Sequence, residues 1–330
     1  MAADAKSALN GAPKFNPAQP WRIEDSLDLY NVAAWGKGYF SVNASGHVVV
    51  RPDTTAQHEI DLYEVVEGLK ARDLTTPVVV RFSDILAHRL RRMHEAFALA
   101  IAENDYHNAY AAVYPIKVNQ QRLVVEEVYR YGKEFGFGLE VGSKPELLAV
   151  MAMTENAPER LIVCNGFKDD SYIEAVTLAT KLGRTIIPVV ENFEELGLIL
   201  KHAETYQVRP RIGVRVKLFS EGSGRWSASA GEKSKFGLFI TEILELFNVL
   251  KARDMLDCLQ LVHCHPGSQL QDIRRGEGRH QRARPRLCGA EAHGRRAAIH
   301  RRRRRARRRL RRQRHQLRLL DELHAQRVRE

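Results

Sequence analysis

Ala111-Ala-Val-Tyr-Pro-Ile-Lys-Val-Asn-Gln-Gln-Arg-Leu-Val-Val-Glu-Glu-Val-Tyr-Arg130 decides how this chain folds. Residues 111–118 form an apolar run of strand length. Apolar residues then recur at helical spacing through residue 135. The same unit repeats. Apolar runs at 137–141, 161–164, 185–190 and 211–216 are each followed by a helical pattern, at 144–154, 169–182, 193–206 and 240–253, and a sixth run covers 259–263. Strands alternating with helices at this spacing imply a parallel sheet. Six in series point to an α/β fold of the (β/α)8 barrel type, with about six of its eight strands present, rather than to a doubly wound sheet.

Upstream, Pro77-Val-Val-Val-Arg-Phe82 reads as one more strand, with Ser83 as the cap of a helix carrying Leu86, Leu90, Met93, Phe97 and Ile101. Residues 1–20 are small and polar with three prolines and are expected to be disordered. Residues 21–110 form an N-terminal region leading into the barrel at 111–273, and a separate tail runs from 274 to 330.

The tail changes the meaning of the net charge. Of the formal +12, residues 274–330 carry +17, with 22 Arg, no Lys and five Asp or Glu, so the first 273 residues carry −5. All 25 Phe, Tyr and Trp lie before the tail. No apolar run is long enough to span a membrane, and Met1–Pro20 has no apolar signal core, so a cytoplasmic protein is expected. Cys164, Cys258, Cys264 and Cys288 form no C-x-x-C pair, which argues against a zinc knuckle or a disulfide framework.

In a barrel of this type the chemistry sits at the C-terminal ends of the strands. Those ends carry Lys117, Glu140, Asn165-Gly166, Arg215 and His263-Cys-His-Pro-Gly-Ser-Gln269. These motifs, with Tyr30-Asn-Val-Ala-Ala-Trp-Gly36, Cys164-Asn-Gly-Phe-Lys-Asp169, Gly222-Ser-Gly-Arg-Trp226 and Gly231-Glu-Lys-Ser-Lys-Phe-Gly-Leu238, resemble those of the biosynthetic arginine decarboxylases. The resemblance covers roughly residues 21–274. It extends to the related ornithine and diaminopimelate decarboxylases and to alanine racemase.

The resemblance implies a pyridoxal 5'-phosphate enzyme that decarboxylates L-arginine to agmatine in polyamine (spermidine and putrescine) biosynthesis. It implies that Lys117 forms the Schiff base and that His265 stacks on the pyridine ring. The Gly267 backbone and Ser268 would donate to the phosphate, and Arg215 would lie near the cofactor. Glu140 and Glu146 occupy the family's second-strand acidic positions, where they would pair with Lys117 or order the site. Ser234 and Lys235 lie in a Gly- and Ser-rich loop that reads either as a lid over phosphate or substrate or as a solvated loop. Pro266 departs from the family pattern and removes one N–H donor from the phosphate turn. The family is homo-oligomeric and often associated with Mg2+, for which no ligand cluster stands out. An ornithine or diaminopimelate decarboxylase is the alternative on the same barrel.

The resemblance stops near Arg274. The family's glycine-rich strand-seven turn, strand-eight acid and C-terminal β-domain have no counterpart in this sequence. A CGN arginine codon followed by a C-initial codon, read one base later, yields Gly, Val, Ala or Asp, and His300, Ala306 and Leu310 fall where the missing glycine-rich motif requires. The tail is therefore expected to be an out-of-frame translation, and the chain an inactive fragment as written. The rival reading is a nucleic-acid-binding protein. Residues 299–314 are basic enough to hold phosphates non-specifically, but they have no interleaved aromatics to stack on bases.

Overall fold

The computed structural model describes residues 20–217 and 236–265. The chain divides into two compact units between Leu139 and Glu140.

In the first unit, α1 (Ile23–Leu29) and α2 (Val32–Gly36) precede a small antiparallel sheet in the order β1 (Phe40–Val42), β2 (Val48–Val50), β3 (Ile60–Asp61). Asp61 then caps α3 (Leu62–Lys70), its carboxylate accepting the Tyr63 N–H at 2.8 Å. A long helix α4 (Ser83–Glu103) leads to β4 (Val113–Pro115), a single 3-10 turn (Ile116–Val118) and α5 (Arg122–Gly132). Leu90 of α4, Ala112, Val128 of α5 and Phe137 bury one another.

Two sequence expectations fail here. Residues 77–82 are not a strand. Val78, Val79 and Val80 are 40%, 82% and 44% exposed, and among the described residues no neighbouring strand takes up their backbone groups. Apolar β-branched residues favour an extended chain, but a strand requires a partner. Ser83 is the first residue of α4 rather than its cap, a position Phe82 holds without a side-chain hydrogen bond.

The second unit holds the strand-helix repeat. β5 (Gly138–Val141) crosses the division between the units. It is followed by α6 (Lys144–Met153), β6 (Ile162–Cys164), α7 (Asp170–Lys181), β7 (Ile186–Val190), α8 (Phe193–Tyr206), β8 (Ile212–Arg215), α9 (Ile240–Ala252) and β9 (Leu259–His263). The six strands are neighbours in sequence order, β4 to β9, which is the order of a barrel and not of a doubly wound sheet. The pairs β6–β7, β7–β8 and β8–β9 are parallel. Pro188 cannot donate to a ladder, and it sits where pairing with β6 ends (Cys164↔Pro188) and pairing with β8 begins (Val189↔Gly213).

The helices start where side chains can satisfy their first N–H groups. Asp169 accepts from Tyr172 at 2.8 Å at the head of α7, and Asn192 from Glu194 at 3.2 Å at the head of α8. One apolar core runs between helices and sheet, with Ile173, Val190, Leu196, Ile199, Ile212, Val214, Leu246 and Leu250 all buried. At the other end of α6 the buried Arg184 closes the helix. Its guanidinium donates to the carbonyls of Thr154 and Met151 and to the Thr154 hydroxyl at 3.0 Å.

The loops after β5 and β6 meet at glycines. Gly166 has φ +76°, and a Cβ built there would stand 2.3 Å from the Gly142 carbonyl oxygen. Positive φ is unfavourable for an alanine, and the obstacle is backbone rather than a movable side chain. Gly166→Ala is expected to destabilise the protein by at least about 2 kcal/mol in a denaturant titration. Arg184→Met, which leaves the last carbonyls of α6 without their donors, is expected to cost about 2–3 kcal/mol in the same titration.

Candidate functional site

Parallel strands deliver their C-terminal ends to one side of a sheet, and in the second unit those ends carry polar residues in succession. Glu140 stands one residue before the end of β5 and is only 6% exposed. Asn165 directly follows β6 and donates its side-chain amide to Glu140 Oε1 at 3.0 Å. Its other polar atom, Oδ1, is buried with no hydrogen-bond partner among the described residues. Glu191 directly follows β7, and Arg215 ends β8. Their side chains are 3% and 13% exposed, and Arg215 Nη1 donates to Glu191 Oε1 at 2.7 Å. His263 ends β9, followed by Cys264 and His265.

Local chemistry explains how these groups are held. Glu146 is drawn into the β5–α6 turn, where Oε2 accepts the Gly142 N–H at 2.6 Å. It thus serves the start of α6. Below Asn165, Cys164 is fully buried, and desolvation pushes its thiol up to about 12, against a partial opposing effect from the Tyr172 hydroxyl and Lys168. This thiol stays protonated and takes no part as a nucleophile at neutral pH. Burial likewise raises the Cys264 thiol, and the positive charge of Arg215 offsets part of that rise. The Arg215 guanidinium lies 5.5 Å from the centre of the Phe236 ring. The Gly237 N–H donates to the Glu191 carbonyl at 2.9 Å, and Arg215 accepts at its own carbonyl from Leu238 at 2.7 Å.

Lys117 belongs to the first unit. β4 ends two residues before it, at Pro115, so Lys117 stands on the 3-10 turn after the strand rather than at the strand's last position. It is exposed. The turn is closed by the Tyr114 hydroxyl, which donates to the Asn119 carbonyl at 3.3 Å, and by Asn119 Oδ1, which accepts from the Gln121 N–H at 3.1 Å.

Of the residues singled out by sequence, Glu140 and Arg215 lie at the rim of the second unit, with His265 two residues past the end of β9. Gly267, Ser268, Ser234 and Lys235 lie outside the described residues, as does the arginine-rich tail. Sequence reasoning passed over Glu191, Lys168 and Glu195. The available signal was an acid directly after the apolar run 185–190, and a lysine inside the quoted Cys164–Asp169 motif. Pyridoxal phosphate needs an amine to hold its aldehyde, fixed charge near its anionic group, and polar partners for its ring substituents. Each unit taken by itself offers groups of these kinds: in the second, Arg215 a clamped guanidinium and Asn165 Oδ1 a buried acceptor still to be satisfied; in the first, Lys117 an amine on an exposed turn.

Among the described residues no helix is long and apolar enough to cross a membrane, and no group of three His, Cys, Asp or Glu is placed to hold a metal ion.

Comparison with known proteins places this geometry in a family. Residues 86–288 match the model of the pyridoxal-dependent decarboxylase, pyridoxal binding domain. The biosynthetic arginine decarboxylase of Gloeobacter violaceus is 50% identical over 255 residues, and that of Phocaeicola vulgatus 51% identical over 255 residues. Each alignment covers 77% of this chain and 39% or 40% of the relative, so the chain spans about two fifths of the length of these relatives. The crystal structure of the biosynthetic arginine decarboxylase from Campylobacter jejuni superposes with a TM-score of 0.67 at 30% identity, covering 77% of this chain and 40% of that one. Diaminopimelate decarboxylase from M. jannaschii, in complex with L-lysine, has the same fold at a TM-score of 0.52 and 22% identity, over 72% of this chain and 50% of that one. The chain belongs to the pyridoxal-dependent decarboxylases, whose pyridoxal binding domain its residues 86–288 match.

Proposed function

We propose that this chain is the cofactor-holding part of an arginine decarboxylase, which converts L-arginine to agmatine and CO2. The identity of about half of all aligned residues to biosynthetic arginine decarboxylases, across 77% of the chain, is the observation that carries the choice of substrate. An ornithine or diaminopimelate decarboxylase would share the fold but has less support, since the likeness to a diaminopimelate enzyme stands at 22% identity.

When bound, pyridoxal phosphate supplies the electron sink that takes up the pair left on the α-carbon as the carboxylate departs as CO2. Everything else falls to the protein. Lys117 would hold the cofactor through its side-chain amine. Arg215 would keep a fixed positive charge near the cofactor. Its grip on Glu191 restrains the guanidinium before any ligand arrives, and preorganised charge in a water-poor place acts more strongly than the same charge in solution. Glu140, buried and tied to Asn165, would present a carboxylate that orders the site. His265 would stack on the ring, and Gly267 and Ser268 would hold the phosphate. Magnesium comes with the resemblance alone, and no residues are assigned to it. A cytoplasmic homo-oligomer acting in polyamine biosynthesis completes the reading.

The test is a titration of the purified chain with pyridoxal phosphate, followed by amino acids, read by absorbance of the bound cofactor. The reading expects saturable binding, lost in Lys117→Ala, and a spectral change on adding L-arginine that L-ornithine, L-lysine and meso-diaminopimelate do not produce. A response to L-ornithine or meso-diaminopimelate instead of L-arginine would replace the proposed substrate.

A further inference from the structure

The strand-end rim contains a second pair of opposite charges that the cofactor reading leaves without a task. Lys168, four residues past the end of β6, has a side chain 0% exposed, and Glu195, in the first turn of α8, has one 4% exposed. Lys168 Nζ donates to the Gly166 carbonyl at 2.6 Å and pairs with Glu195 Oε2 at 3.1 Å. The Lys168 backbone N–H donates to Glu195 Oε1 at 3.1 Å. Glu195 Oε2 also accepts the backbone N–H of Glu191 at 2.8 Å. Glu191 is the residue whose carboxylate holds Arg215.

We propose that Lys168 and Glu195 are positioning residues for Arg215: their buried pair fixes the backbone of Glu191, and thereby the direction from which Glu191 grips the guanidinium. The proposal rests on the reading that Arg215 lies near the cofactor. Stability alone is a poor reason for such a pair, because desolvating two charges offsets most of their attraction, and well-packed apolar residues commonly do as well. What apolar residues do not supply is direction. Both oxygens of Glu195 are committed, one to the loop after β6 and one shared between Lys168 and the first residue after β7. The contact to Glu191 is made at its backbone, one covalent step from the side chain that holds Arg215. If that acceptor is removed, the residue after β7 is no longer pinned, and the carboxylate of Glu191 can turn with it. The same lysine draws on the Gly166 carbonyl, at the glycine that abuts Gly142. The ends of β5, β6, β7 and β8 are thereby joined in one series of contacts that finishes at Arg215.

The experiment uses the full 330-residue chain with Lys168→Met and Glu195→Met combined, so that neither charge is left buried alone. Cooperative thermal unfolding establishes that the variant folds. Proton NMR then follows solvent exchange of the Arg215 guanidinium protons, identified by their disappearance in Arg215→Lys, and a titration measures the affinity for pyridoxal phosphate. A positioning role predicts that exchange at Arg215 accelerates by about tenfold or more, and that the cofactor binds about tenfold more weakly, as for loss of one well-aligned charged contact. A purely structural role predicts a folded double variant with Arg215 exchange unchanged, and that result would overturn the proposal. Should the double variant fail to fold, Glu195→Gln decides by the same exchange measurement, since it keeps side-chain length and offers one acceptor oxygen in place of two. Absence of cofactor binding in the unsubstituted chain would count against the functional reading alone, because Arg215 exchange needs no cofactor.

Discussion

Parallel pairing between strands adjacent in sequence is the constraint on which the rest of the structure depends. Each of β7, β8 and β9 must be reached by a helix that returns the chain to the same starting end. The helices then cover the sheet with the apolar stripes that form the core around Ile173, Leu196, Ile212 and Leu246. The strand ends, freed from that packing, fall on one side, where polar residues are tolerated. Asn165, Glu191 and Arg215 are therefore close because their strands are neighbours, although they are spread along fifty residues of sequence.

Burying charge at such a rim is costly, and this protein offsets part of the cost by giving each buried carboxylate a donor. Glu191 meets Arg215, Glu195 meets Lys168, and Glu140 receives the amide of Asn165. Removing one member of a pair leaves an uncompensated charge, which is far worse than removing both. The glycine contact between Gly166 and Gly142 belongs to the same economy of space, since it lets two loops touch backbone to backbone and brings these side chains within hydrogen-bond reach. Cys164, directly beneath, shows how dry the region is: desolvation, with a smaller push from the Glu140 carboxylate, drives its thiol well above the ordinary value of 9.0.

The repeat was legible in the sequence because strand and helix differ in hydrophobic period, and each apolar run from 137–141 to 259–263 became a strand within a residue or two of its expected ends. The run at 77–82 favours an extended chain without forming a strand. Periodicity records what a segment favours, while a strand exists only if a neighbour accepts its hydrogen bonds, and Val78–Val80 have none among the described residues. Lys117, Glu140 and Arg215 were singled out by their place at strand ends and by resemblance. Glu191 and Glu195 were missed because acids before and within the first turn of a helix are ordinary, favoured by the helix dipole, and nothing local marks them as partners of residues 24 and 27 positions away. Lys168 was hidden in the same manner. A lysine in a loop motif reads as solvated until the fold buries it.

The central claim is that the lysine after β4 is the one that holds pyridoxal phosphate. The most direct measurement is to incubate the chain with the cofactor, reduce the adduct with borohydride, digest it, and locate the pyridoxyl group by mass spectrometry. The account predicts a single major label on Lys117. A major label on Lys144, Lys168 or any other lysine, with Lys117 unmodified, would contradict it.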